Sequence, residues 1–133
     1  MIIANKKGKD ILYGKEKRIA FAVNTEGIND FGFAGKISDK YWPELKYCGE
    51  CQLGTVLTKE TDHCTFYALV CHSLADGWKN QTETIKKCFD GINSPEPFAT
   101  ISIGAGFIGK MTGANTSEIF EGMEQSKQQI ILY

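Results

Sequence analysis

Two glycine-rich segments each stand between a run of β-forming apolar residues and a stretch with helical spacing. The first reads Gly32-Phe-Ala-Gly-Lys-Ile37 and the second reads Gly104-Ala-Gly-Phe-Ile-Gly109. Glycine has no Cβ, so it permits a positive φ and lets a ligand approach the backbone amides closely. A single loop of this kind is often only a tight connection, but two of them favour a phosphate-binding site at the ends of two strands.

The spacing of apolar residues predicts strands that alternate with helices. We expect strands over 1–4, 18–23, 53–58, 64–70, 98–103 and 129–133, and helices over 34–45, 78–92 and 116–127. The charged turn 59–63 predicts that the third and fourth strands form an antiparallel hairpin. The whole pattern is typical of a layered α/β domain with a mixed sheet, in which ligands bind at the carboxyl ends of strands.

Length and charge limit the classes of function. A chain of 133 residues with 42% hydrophobic content suits one domain that spans 1–133. The formal net charge of −1 argues against binding to duplex nucleic acid or to an anionic membrane, whereas a small anion needs only oriented amides. The sequence contains neither a membrane-span pattern nor a signal-peptide pattern, so we expect a cytoplasmic protein.

Five cysteines, at positions 48, 51, 64, 71 and 88, are an odd number that fits a reducing compartment. Cys48-Gly-Glu-Cys51 has the spacing of half a zinc site, but no second pair follows it. A redox dithiol and ordinary free thiols are the alternatives. We expect free thiols, no metal and no cofactor.

Three segments resemble motifs of the macro domain family. Gly32-Phe-Ala-Gly-Lys-Ile37, which follows a strand ending in Val23-Asn24, is similar to the family's first loop Gly-Val-Ala-Gly-Ala-Ile. Ser102-Ile-Gly-Ala-Gly-Phe-Ile-Gly-Lys-Met111 resembles its second loop, and Gly8-Lys-Asp10-Ile11 resembles its Gly-Asp-Ile motif. The chain looks most like the small class that includes the terminal ADP-ribose glycohydrolase.

This resemblance implies a three-layer α/β/α fold with a mixed, mostly parallel central sheet. It also implies that the partner is ADP-ribose or a related NAD-derived nucleotide, free or carried on an ADP-ribosylated protein. Asp10 would hold the adenine, the two glycine loops the diphosphate, and Phe107 or Ile108 the distal ribose. The implied ligand-binding residues are Asp10, Ile11, Asn24, Gly32, Phe33, Ala34, Gly35, Lys36, Gly104, Ala105, Gly106, Phe107, Ile108 and Gly109.

Hydrolysis of the ligand is the alternative to binding. The small class places a catalytic lysine near the end of the strand before the long helix and an aspartate in the second loop. Here the first region reads Val70-Cys-His-Ser-Leu74, and the second loop contains no acid. Removal of ADP-ribose from proteins, or of phosphate from ADP-ribose phosphate, would then depend on other residues, of which His72 and Asp30 are candidates. An interaction scaffold with a decayed site is a third hypothesis, and binding is the one that we favour.

Overall fold

The computed structural model describes residues 1–133 and contains a six-stranded sheet flanked by helices. The strands are β1 (Ile2–Asn5), β2 (Arg18–Asn24), β3 (Val56–Glu60), β4 (Thr65–His72), β5 (Phe98–Thr100) and β6 (Ile130–Leu132). The helices are α1 (Gly32–Lys40), α2 (Gln81–Asp90), α3 (Phe107–Thr112) and α4 (Thr116–Gln125), and short 3-10 turns cover Ile11–Tyr13 and Pro43–Leu45. None of the helices is long and apolar enough to cross a lipid bilayer.

The strand order is β1-β6-β5-β2-β4-β3. Every neighbouring pair is parallel except β3 and β4, which form the predicted antiparallel hairpin. The mixed, mostly parallel sheet is therefore confirmed.

The central strand β2 is buried on both faces, as its continuous apolar run predicts. Ile19, Phe21 and Val23 pack on the side of α1 and the 3-10 turns. Ala20 packs on the opposite side, in the core that contains α2 and α4. Helices thus cover both faces of the sheet, and the layers are α/β/α.

Several element boundaries differ from the sequence-based predictions. The predicted helix over 34–45 ends at Lys40, and Pro43 begins a separate 3-10 turn, because proline cannot donate the next helical hydrogen bond. The predicted strand over 98–103 pairs only through Thr100. The predicted strand over 53–58 begins only at Val56, after Gly54 turns the chain with a φ of +85°. Helix α3 lies where the sequence predicts only a turn.

The carboxyl ends of the five parallel strands lie at one edge of the sheet. The loop 25–31 follows β2 and enters α1, and the loop 101–106 follows β5 and enters α3. Because β2 and β5 are hydrogen-bonded neighbours, the two glycine-rich segments emerge side by side. This edge is where a parallel sheet binds ligands.

Candidate functional site

A cleft of about 340 Å³ lies between the two glycine-rich segments. Its floor is the carboxyl edge of the sheet, and its walls come from the loops after β2, β4 and β5. The lining residues are Ala22, Phe31, Gly32, Phe33, Ala34, His72, Trp78, Ile101, Ser102, Ile103, Gly104, Gly106, Phe107, Ile108 and Gly109. None of these side chains is an acid, a lysine or an arginine.

The first wall of the cleft is the amino-terminal turn of α1. The amides of Gly32, Phe33 and Ala34 have no acceptor within the protein, and the first internal bond of the turn runs from Gly35 N to Phe31 O at 2.9 Å. Gly32 has a φ of +61°, and a Cβ built on it would meet nothing within 4 Å. These three residues line the cleft, so their unpaired amides lie in its wall, at the positive end of the helix dipole.

The second wall is the loop that connects β5 to α3. Gly104 has a φ of +78° and packs so closely on Ile119 that a Cβ would collide with that side chain. Gly109 lies against the Gly104 carbonyl in the same way. Gly106 is different, because its φ of −80° suits any residue and a Cβ there would meet nothing within 4 Å. Gly104 and Gly109 therefore allow the loop to pack tightly, and Gly106 leaves room in the cleft.

The second loop also presents unpaired amides. The N–H groups of Gly106, Phe107 and Ile108 have no acceptor within the protein. Phe107 itself is 75% exposed, which is high for a large aromatic side chain and leaves its ring free at the rim of the cleft. Two sets of three amides therefore line one cleft that holds no charged side chain, an arrangement suited to a ligand with two linked phosphates.

His72 supplies a fixed polar group in the cleft wall. Its ring stacks on Trp78 with centroids 4.6 Å apart and planes 6° apart. The Trp78 indole N–H donates to Thr112 Oγ1 at 2.8 Å, so the stacked pair is held by α3. His72 Nδ1 lies 3.9 Å from Cys71 Sγ, and His72 Nε2 is buried without a partner.

The imidazole is neutral near pH 7. Burial lowers the pKa of His72 to about 4, and the negative charge of Glu26 opposes only part of this shift. An imidazole with so low a pKa is a weak proton acceptor, but its ring can still exchange one hydrogen bond with a ligand hydroxyl.

The Glu26 carboxylate is hydrogen-bonded to the loop that follows β4. Its carboxylate accepts hydrogen bonds from the Leu74 amide at 2.8 Å, the Ser73 hydroxyl at 2.7 Å and the Ala75 amide at 3.2 Å. Burial alone would raise the pKa of Glu26, but these donors lower it to about 2. Glu26 therefore joins the loop after β2 to the loop after β4, and it makes no hydrogen bond to His72.

Two residues that the sequence places near the ligand are engaged elsewhere. The Asn24 amide group donates to Ile28 O at 2.7 Å and accepts from Ile28 N at 3.1 Å, so it shapes the loop before α1. Asp30 is exposed and accepts from the Tyr47 hydroxyl at 2.9 Å. Neither residue lines the cleft, and Asp30 is not paired with His72.

The remaining predicted residues lie around the cleft or beside it. Gly35, Lys36 and Ala105 belong to the same two segments without lining the cleft. Ile11 is buried, and the Asp10 side chain caps the following 3-10 turn by accepting from Leu12 N at 2.9 Å. Asp10 lines a neighbouring cavity at the carboxyl ends of β1 and β6, whose other lining residues are Lys6, Lys9, Tyr13, Gly14, Lys15 and Tyr133.

The aromatic residues Phe31 and Trp78 of the cleft wall are not predicted as site residues from the sequence. Trp78 fits the apolar stripe of the following helix, which predicts a core position, and Phe31 precedes the glycine segment without any motif of its own. Trp78 does lie in the core, where it is 9% exposed, and it also lines the cleft. It follows the turn Ser73–Gly77, whose ends exchange two backbone hydrogen bonds. The only sequence signal for this placement is the glycine that immediately precedes the tryptophan.

The five cysteines do not gather into a metal centre. Cys48 Sγ and Cys51 Sγ lie 4.0 Å apart, and Cys64, Cys71 and Cys88 are buried in other parts of the fold. The structure contains no group of three or more His, Cys, Asp and Glu side chains placed to share a metal ion.

Comparison with known proteins identifies the fold. No family model matches the sequence, and no curated protein matches it. Solved structures do match. The macrodomain of Mycobacterium tuberculosis DarG is 15% identical, with a TM-score of 0.68 over 99% of this chain and 97% of that chain.

Two further matches contain a nucleotide. Thermosipho africanus DarTG in complex with ADP-ribose is 15% identical, with a TM-score of 0.62 over 93% of this chain and 40% of that chain. A variant of the Oceanobacillus iheyensis macrodomain with ADP-ribose is 16% identical, with a TM-score of 0.64 over 98% of this chain and 83% of that chain. The likeness confirms the predicted macrodomain-like fold.

Proposed function

We propose that this protein binds ADP-ribose, or an ADP-ribosyl group carried on a modified protein, in the cleft between its two glycine-rich segments. The proposal rests on six amides without acceptors, those of residues 32–34 and 106–108, which belong to the lining of one cleft that holds no charged side chain. Two structural neighbours hold ADP-ribose, which supports this choice among diphosphate ligands.

The remaining parts of the ligand find suitable surroundings on either side of the amides. Phe107 and Trp78 offer apolar surface to the distal ribose, and His72 Nε2 is placed to exchange a hydrogen bond with one of its hydroxyls. Asp10, at the edge of the neighbouring cavity, is the candidate partner for the adenine amino group. Asn24 acts indirectly in this proposal, because its side chain holds the loop that leads into α1.

The cleft favours binding over hydrolysis. It contains no carboxylate to activate water, and the low pKa of His72 makes that residue a poor general base. Glu26, whose charge reaches His72, is held by three hydrogen bonds to the 73–75 loop. We therefore expect a stable complex without turnover, and we assign neither His72 nor Asp30 a catalytic role.

Titration calorimetry with ADP-ribose tests the proposal when the wild type is compared with Gly106→Ala and Gly106→Val. A side chain at Gly106 projects into open cleft, so Ala should weaken binding and Val should weaken it at least about tenfold. The free energy of unfolding should change by no more than about 1 kcal/mol, because the φ of Gly106 suits both alanine and valine. Replacing glycine lowers the entropy of the unfolded chain, and this gain offsets the poorer helix cap.

The same samples also test turnover. Chromatography of ADP-ribose and of an ADP-ribosylated peptide after long incubation should show both unchanged. Absence of binding heat with the wild type would contradict the proposed function, and equal binding by all three proteins would move the site away from Gly106. Release of ADP-ribose from the peptide would contradict binding without turnover.

A further inference from the structure

We propose that the cavity beside the cleft is a subsite for a phosphate group attached through the adenosine ribose of an ADP-ribose ligand. This cavity, here called the lysine cavity, has a volume of about 400 Å³ and is lined by Lys6, Lys9, Asp10, Tyr13, Gly14, Lys15 and Tyr133. The inference rests on the proposed function, since it concerns the same ligand. It adds a specificity for the adenosine end of that ligand.

The distribution of charge along the chain singles out this cavity. Residues 5–18 contain six lysines and arginines but only two acidic residues. The rest of the chain contains nine lysines and arginines and fourteen acidic residues. A chain with a net charge of −1 therefore carries a local positive surplus in the one segment that forms the cavity wall. Such a surplus attracts an anionic group at short range.

The floor of the lysine cavity is built by side-chain contacts. The Tyr133 hydroxyl donates to Glu16 Oε2 at 2.5 Å, and Lys6 Nζ lies 3.0 Å from Glu16 Oε1. Gly14 has no Cβ, which allows the Tyr133 hydroxyl to rest against its backbone. Lys6 thus neutralises the one acid beneath the floor, while Lys9 and Lys15 have no carboxylate partner.

The lysine cavity lies where an extended ligand would reach it. It stands at the carboxyl ends of β1 and β6, and the cleft stands at the carboxyl ends of β5, β2 and β4. With neighbouring strands roughly 4.8 Å apart, the two centres are about 12 Å apart along the sheet edge. A diphosphate bound in the cleft would direct its adenosine toward Asp10, and a substituent on that ribose would meet Lys9 and Lys15.

The two sites recognise anions by different means. The cleft offers only amide dipoles, which suit the singly charged phosphates of a diphosphate. The lysine cavity offers mobile ammonium groups and the exposed hydroxyl of Tyr13, which suit a phosphate monoester with up to two negative charges. An unsubstituted ribose would leave these ammonium groups in water, so the extra phosphate should increase affinity.

The experiment compares ADP-ribose with 2′-phospho-ADP-ribose by titration calorimetry at low and high salt. We expect the phosphorylated ligand to bind about tenfold more tightly at low salt, and the preference to shrink at high salt because exposed charges are screened. An ADP-ribose dimer joined through the same ribose forms a second arm. Comparison of the two arms shows whether the subsite binds a phosphate monoester on the ribose or a phosphate of the next ADP-ribose unit in a polymer.

Two double variants locate the effect. Lys9→Ala with Lys15→Ala should remove the preference and leave binding of plain ADP-ribose unchanged. Lys87→Ala with Lys127→Ala removes the same charge from exposed positions at the ends of α2 and α4, and it should keep the preference. Thermal unfolding of both variants checks that each is folded.

The outcomes separate this inference from the proposed function. Failure of every ligand to bind would overturn the proposed function itself. Binding of plain ADP-ribose with no gain from either the monoester or the dimer would overturn only the subsite. A gain that persists without Lys9 and Lys15 would also overturn it.

Discussion

Protonation of His72 should destabilise the protein in mild acid. The ring is 6% exposed and stacked on Trp78, and burial lowers its pKa from the ordinary value of 6.5 to about 4. Between pH 6.5 and pH 4 the unfolded chain therefore binds more protons than the folded one, and stability falls as the pH falls. From these two pKa values, the free energy of unfolding should decrease by about 2 kcal/mol between pH 7 and pH 5.

Urea unfolding followed by tryptophan fluorescence measures this loss at several pH values. His72→Gln is the matched variant, because it removes the titrating group and keeps a polar side chain at the end of β4. The variant should be less stable at pH 7, since the ring stack is lost, but its stability should change little down to pH 5. Every other titratable group, His63 included, is common to both proteins, so the difference between the two pH profiles reports on His72. Parallel pH profiles for the two proteins would refute the assignment of a buried, neutral His72.

Two further substitutions test how the second loop is built. Gly109→Ala places a Cβ against the Gly104 carbonyl, so it should destabilise the fold by about 1–3 kcal/mol in chemical denaturation, in contrast to the tolerated changes at Gly106. Wild-type stability in Gly109→Ala would contradict the packing described for this loop. Thr112→Val leaves the buried Trp78 indole N–H without its acceptor and should cost about 1–3 kcal/mol in the same assay. In a Trp78→Phe background the same change should cost less, and an equal cost in both backgrounds would show that the hydrogen bond does not hold the indole.

The glycine segments could be recognised from sequence because their constraint is local. A strand that runs into closely spaced glycines and then into a helix must turn sharply, and it can do so in few ways. Gly32 and Gly104 adopt the positive φ that this reasoning anticipates. The resemblance to the macro domain family rests on these segments, and the confirmed fold explains why they come together from β2 and β5.

Side chains that depend on distant contacts could not be assigned in the same way. Trp78 has the spacing of a core residue, and only the stack with His72 and the bond to Thr112 reveal its place in the cleft wall. Asn24 lies at the end of β2, as the sequence predicts. Its side-chain amide, however, is hydrogen-bonded to the backbone of Ile28, a contact that no motif specifies. Hydrogen-bond partners are chosen in three dimensions, and the sequence offers several for each polar group.

The contrast between the two anion-binding regions also has a sequence basis. The positive charge surplus of residues 5–18 is visible in the sequence, but acidic residues elsewhere in the chain bring the net charge to −1. Only the pairing of β1 with β6 brings Tyr133 beside this segment and forms a cavity. A small net charge therefore argues against a broad surface that binds polyanions, but it is compatible with a local site for a single anionic group.

A crystal structure of the protein with ADP-ribose is the most direct test of diphosphate binding between the two glycine-rich segments. We expect diphosphate oxygens within hydrogen-bonding distance of the amides of residues 32–34 and 106–108, with the distal ribose beside His72 and Phe107. Diphosphate density outside the cleft, or a diphosphate that contacts neither set of amides, would contradict it.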